Sequence, residues 1–193
     1  MPSIKIAVGG AHSTGKTTFL QRLLEAIEKK GLSCSVVGDL AGKCPLPILR
    51  EHTVESTLWI VTTGIAAEIA AAHKSKVVLV DRSVLDAWAY LQATGNSRAL
   101  KSSPTALTTL ENAIRNWPPT YTLLYQTIID EQLPIENNKG RDLDPKYRTE
   151  VARQIGLAYT HFAAQSRSLS ATNSDAEIKV ALERLATSMS STQ

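Results

Sequence analysis

A segment near the N-terminus has the residue types and the spacing that bind a polyphosphate. Gly10, Gly15, Lys16 and Thr17 match G-x-x-x-x-G-K-[ST] within GGAHSTGKTTFL. Glycines allow successive backbone N–H groups to face one anion, and the N-terminus of a following helix adds positive charge. The lysine reaches the β- and γ-phosphates, and the threonine hydroxyl is a ligand for Mg²⁺. The motif therefore predicts a phosphate loop that binds a polyphosphate together with Mg²⁺.

The predicted nucleotide contacts extend along the whole of this loop. They are Gly10, Ala11, His12, Ser13, Thr14, Gly15, Lys16, Thr17 and Thr18. Lys16 also has a catalytic role in this prediction, because its charge neutralises the phosphates during transfer. His12 is a lone histidine, and we interpret it as a packing or loop-shaping residue rather than a catalyst.

An acidic residue follows the apolar run in VVLVDRSVLDAWAY. Asp81 stands where a carboxylate closes a buried strand close to a phosphate loop. Proteins with such loops use this position to bind Mg²⁺, either directly or through a water molecule. We therefore predict Thr17 and Asp81 as the metal ligands.

The residues from Asp81 onward also resemble a kinase signature. Asp81, Arg82 and Ser83, followed by Asp86 and Tyr90, are similar to the D/E-R-S…D pattern of nucleoside and nucleotide kinases. The resemblance extends to the deoxynucleoside kinases and to the nicotinamide-riboside-kinase-like (AAA ATPase-like) family. It implies that Arg82 contacts the acceptor or the transferred phosphoryl group. The alternative for Arg82 is a structural ion pair with Asp86, four residues further along a helix.

The same resemblance implies a role for Asp39, which follows an apolar run in VVGDLAGKCP. These kinases place a general base at the end of the second strand, beside the phosphate loop. The base accepts the proton of the acceptor hydroxyl. Because the transition state of phosphoryl transfer is loose, positioning supplies most of the rate and the base need not be strong.

A polar segment, residues 132–146, is rich in proline, asparagine and glycine and has no core pattern. We interpret residues 131–148 as a short lid, because long polar loops of this kind are often functional. Related kinases use an arginine in such a lid to neutralise the transferred phosphoryl group. The resemblance implies Arg141 for this role, with Lys139 and Arg148 as alternatives. A solvated loop with scattered charges is the competing interpretation.

These residues lie on elements that alternate between strand and helix. The predicted strands are 4–8, 33–37, 77–80, 121–124 and 168–171, and the predicted helices are 17–30, 54–74, 85–94, 106–116 and 175–187. This alternation predicts an α/β fold with three α/β/α layers around a five-stranded parallel sheet. The arrangement is that of P-loop NTPases of the nucleoside and nucleotide kinase type.

Composition limits the class of protein. The chain has 193 residues, with 21 Lys and Arg against 18 Asp and Glu. This length favours a single kinase domain, residues 1–193, and the mild basic excess suits phosphate-bearing ligands. Cys34 and Cys44 lack the spacing of a zinc or redox pair. Charges interrupt the apolar runs and no signal peptide is visible, so we expect a cytoplasmic protein without a membrane partner.

The resemblance as a whole implies an ATP- and Mg²⁺-dependent kinase whose catalytic residues are Lys16, Asp39, Arg82 and Arg141. The acceptor would be a hydroxyl or phosphate of a nucleoside-like small molecule. A hydroxyl on DNA or RNA, at a 5′ end or on a hydroxymethylated base, stays open as an acceptor, and so does a homodimer. A GTP-binding switch protein is a further alternative, because DLAG and NKGR resemble guanine-nucleotide motifs.

Overall fold

Parallel strands form the centre of the fold in the computed structural model, which describes residues 3–95, 103–129, 144–163 and 165–190. Within these residues one sheet contains β1 (Ile4–Gly9), β2 (Cys34–Val37), β3 (Val77–Asp81), β4 (Leu123–Thr127) and β5 (Arg167–Leu169). Their order is β2-β3-β1-β4-β5, and each neighbouring pair is parallel. Because parallel strands end at the same edge, the loops that follow β1, β2 and β3 lie side by side.

Helices cover both faces of this sheet. α1 (Lys16–Glu28) and α6 (Ser174–Ser190) pack on one face, and α2 (Val54–Lys74), α3 (Val84–Ala93), α4 (Pro104–Asn116) and α5 (Pro145–Phe162) pack on the other. Alternate residues of β1 enter the two cores, with Ile6 and Val8 beside α1 and Ala7 on the opposite face. All of β1 is therefore buried, and its residues are apolar or glycine except Lys5, whose ammonium pairs with Glu68. The three-layer α/β fold predicted from the sequence is confirmed.

The C-terminal boundary of the predicted lid needs correction. Residues 145–148, assigned to the lid from their polar sequence, form the first turn of α5. Asp144 is the N-cap of this helix and accepts a hydrogen bond from the N–H of Lys146 at 2.8 Å. Pro145 occupies the first helical position, where no N–H is needed. The proline that suggested a loop is therefore a helix-start signal.

The remainder of the predicted lid lies outside the described residues. Lys139 and Arg141 belong to residues 130–143, and their assignment as lid cations stays a prediction from the sequence. Arg148, the third candidate, is buried on α5 and only 6% exposed.

Helix α2 is long and apolar enough to cross a membrane by length and composition, the one such helix in the described part of the chain. In this fold it packs against the sheet, α3 and α4. Its buried Glu68 accepts hydrogen bonds from Lys5 at 3.1 Å, Trp117 at 2.9 Å and Tyr121 at 2.9 Å. A carboxylate satisfied in this way fastens α2 to β1 and to the segment after α4, as expected of a sheet-covering helix.

Candidate active site

The predicted phosphate loop connects β1 to α1, and two of its residues have left-handed backbone conformations. Ser13 and Gly15 both have positive φ, at 54° and 82°. Gly15 is the N-cap of α1, so the loop leads directly into the N-terminus of the helix. A non-glycine residue rarely adopts the left-handed conformation of Ser13, and this strain marks a backbone shaped for a function.

The side chain of Lys16 folds back onto the phosphate loop. Its side chain is buried, and Nζ donates hydrogen bonds to the carbonyl of Ala11 and to Thr14 Oγ1, the latter at 3.3 Å. Burial, followed by the nearby charge of Arg82, lowers the pKa of the Lys16 ammonium to about 7. An anion in the loop would favour the charged form and compensate the cost of burial. The environment of Lys16 is therefore suited to a negatively charged ligand.

Asp86 supports the start of the loop. Its buried carboxylate accepts hydrogen bonds from the N–H of Gly10 at 2.6 Å, from the N–H of Ser83 at 3.0 Å and from the hydroxyl of Tyr159 at 3.2 Å. Ser83 and Asp86 also form the capping box of α3. Burial raises the pKa of Asp86 above its usual value. The sequence offered Asp86 as an ion-pair partner of Arg82, and the structure assigns it instead to the loop backbone.

Arg82 pairs with Asp39. Arg82 Nε donates to Asp39 Oδ2 at 2.6 Å, and its Nη1 donates to the carbonyl of Gly10 at 3.2 Å. Asp39 accepts a second hydrogen bond at its other oxygen, Oδ1, from the N–H of Ala41 at 2.9 Å. Burial opposes ionisation of Asp39, but the Arg82 charge and these hydrogen bonds outweigh it and hold the pKa below its usual value. Two predicted catalytic residues thus meet beside the phosphate loop.

Thr17 and Asp81, the predicted metal ligands, line the same cavity as Lys16. Asp81 ends β3 and is half-buried, and burial raises the pKa of its carboxyl above the usual value. The described residues contain no group of three or more His, Cys, Asp or Glu side chains that could hold a metal ion. A hydroxyl and one carboxylate fit Mg²⁺, because this ion commonly takes few protein ligands and completes its shell with phosphates and water.

The cavity extends from the phosphate loop toward α2 and has a volume of about 460 Å³. Beyond Asp39 its wall is largely apolar, formed by Ile48, Leu49, Ile60 and Val61. Among the described residues, only Lys16 and Arg82 bring a cationic Lys or Arg side chain to this wall. Both lie at the phosphate end, so the deeper recess has no such charge.

His52 is a polar residue of the recess that the sequence analysis missed, and Glu68 and Tyr90 also line the cavity. The ring is 3% exposed and lies 5.9 Å from the ring of Tyr90. Burial lowers the pKa of His52 to about 4, so the imidazole is neutral at pH 7. The hydroxyl of Thr57 donates to the carbonyl of Thr53 at 2.8 Å, and His52 Nδ1 lies within hydrogen-bond distance of the same oxygen at 3.3 Å. A neutral imidazole has one donor and one acceptor nitrogen, so His52 can hydrogen-bond a ligand.

Comparison with known proteins identifies the family. A family model described as "AAA domain" matches residues 5–175, a range that contains the phosphate loop, Asp39 and the Asp-Arg-Ser segment. The chain therefore belongs to this AAA domain family. By sequence, no curated protein matches the chain.

Solved structures share the fold. The structure of deoxyadenosine kinase from M. mycoides with bound dATP is 14% identical, with a TM-score of 0.62 over 94% of this chain and 98% of that one. The same enzyme with dCMP and dCDP is 13% identical, with a TM-score of 0.58 over 95% and 100%. The NadR protein in complex with NAD and AMP-PNP is 16% identical, with a TM-score of 0.63 over 95% of this chain and 50% of that chain.

At these identities the likeness establishes the fold alone. The sequence motifs predicted a resemblance to P-loop nucleoside and nucleotide kinases, and the comparisons confirm it at the level of the fold. The fold and the phosphate loop together define a P-loop, kinase-like nucleotide-binding protein.

Proposed function

We propose that this protein is a Mg²⁺-dependent kinase that transfers the γ-phosphoryl group of ATP to a hydroxyl of a nucleoside-like small molecule. The observation that supports it most is the contact between Asp39 and Arg82. Their ion pair lies between the phosphate loop and the apolar recess, and both residues line the cavity. Phosphoryl transfer from a nucleotide in the phosphate loop to an acceptor in the recess requires a general base and a cation near the transferred group, and Asp39 and Arg82 would supply them.

The residues have distinct roles in the proposed reaction. The acceptor oxygen forms a bond to the γ-phosphorus, the bond from this phosphorus to the β,γ-bridging oxygen breaks, and ADP leaves. The acceptor proton passes to the Asp39 carboxylate, which Arg82 keeps in place. The low pKa of Asp39 is compatible with this role, because the transition state is loose and orientation matters more than basicity.

Lys16 and the backbone N–H groups of the loop bind the phosphate oxygens. Thr17 and Asp81 would hold Mg²⁺, which when bound neutralises charge on the β- and γ-phosphates. The Lys16 ammonium then regains a full charge against the polyphosphate, since a neighbouring anion raises the pKa of an amine. From the sequence, Arg141 would add a further cation at the transferred group.

The charge of the recess supports a hydroxyl acceptor over a phosphate acceptor. A nucleoside monophosphate would bring a second phosphate, which normally requires its own arginine or lysine. In the described residues the wall away from the phosphate loop is mostly apolar, and its polar groups are the neutral His52, Tyr90 and the carboxylate of Glu68, none of which is a cation. An uncharged sugar and base suit such a wall, with a polar edge of the base facing a hydrogen-bonding histidine.

Transfer of labelled phosphate tests the proposal. The protein is incubated with [γ-³²P]ATP, Mg²⁺ and separate panels of nucleosides, nucleoside monophosphates, and DNA and RNA oligonucleotides with ordinary or hydroxymethylated bases. The Lys16→Ala variant, purified in parallel, measures label transferred by contaminating kinases. Label on a nucleoside supports the proposal and names the acceptor.

Other outcomes of the same assay contradict it. Label on a monophosphate or on an oligonucleotide shows that the recess was assigned the wrong acceptor. The absence of any labelled acceptor, together with tighter binding of GTP than ATP, contradicts the kinase proposal and supports the GTP-binding switch.

A further inference from the structure

Arg148 contacts the phosphate loop from outside the cavity. Its Nε donates to the carbonyl of His12 at 3.3 Å, and its Nη2 donates to the carbonyl of Ser13 at 2.9 Å. Arg148 does not belong to the residues that line the cavity. We propose that Arg148 is a positioning residue that holds the phosphate loop in its anion-binding conformation.

The geometry of the peptide bond explains how this contact acts. In a planar trans peptide the C=O and the N–H point in opposite directions. The carbonyl of His12 shares its peptide with the N–H of Ser13, and the carbonyl of Ser13 shares its peptide with the N–H of Thr14. When Arg148 binds the two carbonyls, both N–H groups are turned to the opposite side. Ser13 and Thr14 line the cavity, so the N–H groups are available to an anion there.

The backbone of Ser13 is in a disfavoured conformation, which needs contacts that stabilise it. Ser13 has φ of 54°, a conformation that a side chain disfavours. Loss of the Arg148 contact removes one restraint on this conformation, so part of the ordering would have to occur when an anion binds. Preorganisation of this kind raises affinity by removing the cost of ordering.

The burial of the guanidinium points the same way. Arg148 is 6% exposed, and within the described residues no carboxylate lies within ion-pair distance of it. A buried charge is costly unless hydrogen bonds and nearby charges compensate it. Two carbonyls compensate part of this cost, and a polyphosphate in the loop would compensate more. The position of Arg148 is therefore best satisfied when the loop holds an anion.

Binding measurements on three variants test the inference, which rests on the proposed nucleotide site but not on the acceptor. Isothermal titration calorimetry measures ATP and inorganic tripolyphosphate, because tripolyphosphate needs only the loop. Arg148→Met should lower the affinity for both ligands by about 10- to 100-fold, because two buried hydrogen bonds from a charged group are lost. Arg148→Lys should also bind both ligands several-fold more weakly than wild type, because a lysine ammonium does not reproduce the two hydrogen bonds of the guanidinium.

Arg153→Met is the matched control. Arg153 lies on the same helix, is exposed and pairs with Glu150 at 2.7 Å, so its loss should leave both affinities within twofold. Thermal unfolding establishes that each variant is folded at the temperature of the titration. A merely structural role for Arg148 would lower the melting temperature and leave the affinity of the folded protein unchanged.

Several results would overturn the inference. If folded Arg148→Met binds tripolyphosphate as tightly as wild type, the inference is wrong. Full recovery in Arg148→Lys shows that charge alone matters, and not the two hydrogen bonds. If Arg148→Met does not fold, the Lys variant decides the question by itself. If the wild-type protein binds neither ligand, the proposed nucleotide site fails, and this inference fails with it.

Discussion

Asp39 and Arg82 form an ion pair because β2 and β3 are neighbours in register. Val37 of β2 pairs with Val80 of β3. Asp39 and Arg82 each follow this pair by two residues, so they lie side by side at the end of the sheet. Arg82 Nε then donates to Asp39 Oδ2 at 2.6 Å. Arg82 itself has φ of 77°, which indicates that its conformation is imposed by its surroundings. The pair places a carboxylate and a guanidinium in the lining of the cavity, beside the phosphate loop.

The Asp39→Asn variant should bind ATP and lose phosphoryl transfer. Asparagine keeps the size of the side chain and its oxygen for the N–H of Ala41, but it cannot take the acceptor proton. We expect kcat to fall by about 10²- to 10⁴-fold with ATP affinity within a few-fold of wild type. Steady-state kinetics on the identified acceptor and direct titration of ATP measure the two effects. An equal loss of ATP binding would show that Asp39 acts on the nucleotide site instead.

The Lys16→Ala variant should abolish turnover and weaken ATP binding. Lys16 is the buried cation at the start of α1, and no other described Lys side chain lines the cavity. Lys29→Ala, an exposed change at the opposite end of α1, is the control. Titration of ATP into both variants distinguishes a specific loss from a general effect of charge. Equal affinity of the two variants would contradict the role given to Lys16.

The Asp86→Ala variant should be strongly destabilised. It leaves the N–H groups of Gly10 and Ser83 and the hydroxyl of Tyr159 without this acceptor in a buried site. We expect a loss of about 3 kcal/mol in the free energy of unfolding, measured by urea denaturation. Tyr159→Phe removes only one donor and should cost about 1 kcal/mol. Similar losses in both variants would mean that the carboxylate contributes little beyond its bond to Tyr159.

The Gly9→Ala variant tests the close packing beneath the loop. A Cβ at Gly9 would overlap the hydroxyl of Tyr159 and the carboxylate of Asp86, which are buried and cannot move aside without breaking their hydrogen bonds. We expect a loss of about 1–3 kcal/mol in the free energy of unfolding. Gly156→Ala on α5 meets only Gln126, at 3.7 Å, and should be stabilising by about 0.5–1 kcal/mol. A stable Gly9→Ala protein would show that the loop is less rigid than its contacts imply.

The sequence predicted the elements of the site more reliably than the contacts between them. The motif around Gly10 and Lys16 and the predicted sheet depend on local patterns, and the structure has them within a few residues. The pair of Asp39 with Arg82 depends on strand order and register, which no local pattern contains. The position of Asp86 did have a local signal, because Ser83-x-x-Asp86 has the spacing of a capping box.

Helix α5 was missed because its first turn looks like a loop. Pro145 and the charged residues around it fit a polar segment, although Asp144 before a proline is also a common helix start. The apolar spacing of Tyr147, Val151 and Ile155 was the stronger evidence, since these residues form one buried face. Missing this helix also hid the contact of Arg148 with the phosphate loop.

His52 should make the stability of the protein depend on pH. Its pKa is lowered by burial to about 4, against about 6.5 in an unfolded chain. Below pH 6.5 the unfolded chain binds a proton that the folded protein does not, so the folded state loses stability as the pH falls through this window. The loss from this residue should reach at most about 3 kcal/mol near pH 4, and it should be absent above pH 7.

The contribution of His52 can be isolated by comparing wild type with His52→Gln. Glutamine is neutral at every pH of the window, so the variant should lose about 2–3 kcal/mol less than wild type between pH 7 and 4.5 in urea unfolding. The imidazole resonances of His52, followed by NMR, should keep the neutral form down to about pH 4.5. A midpoint near pH 6.5 would show that water reaches the ring freely. The recess would then be open to solvent, and the case for an apolar acceptor site would lose its main support.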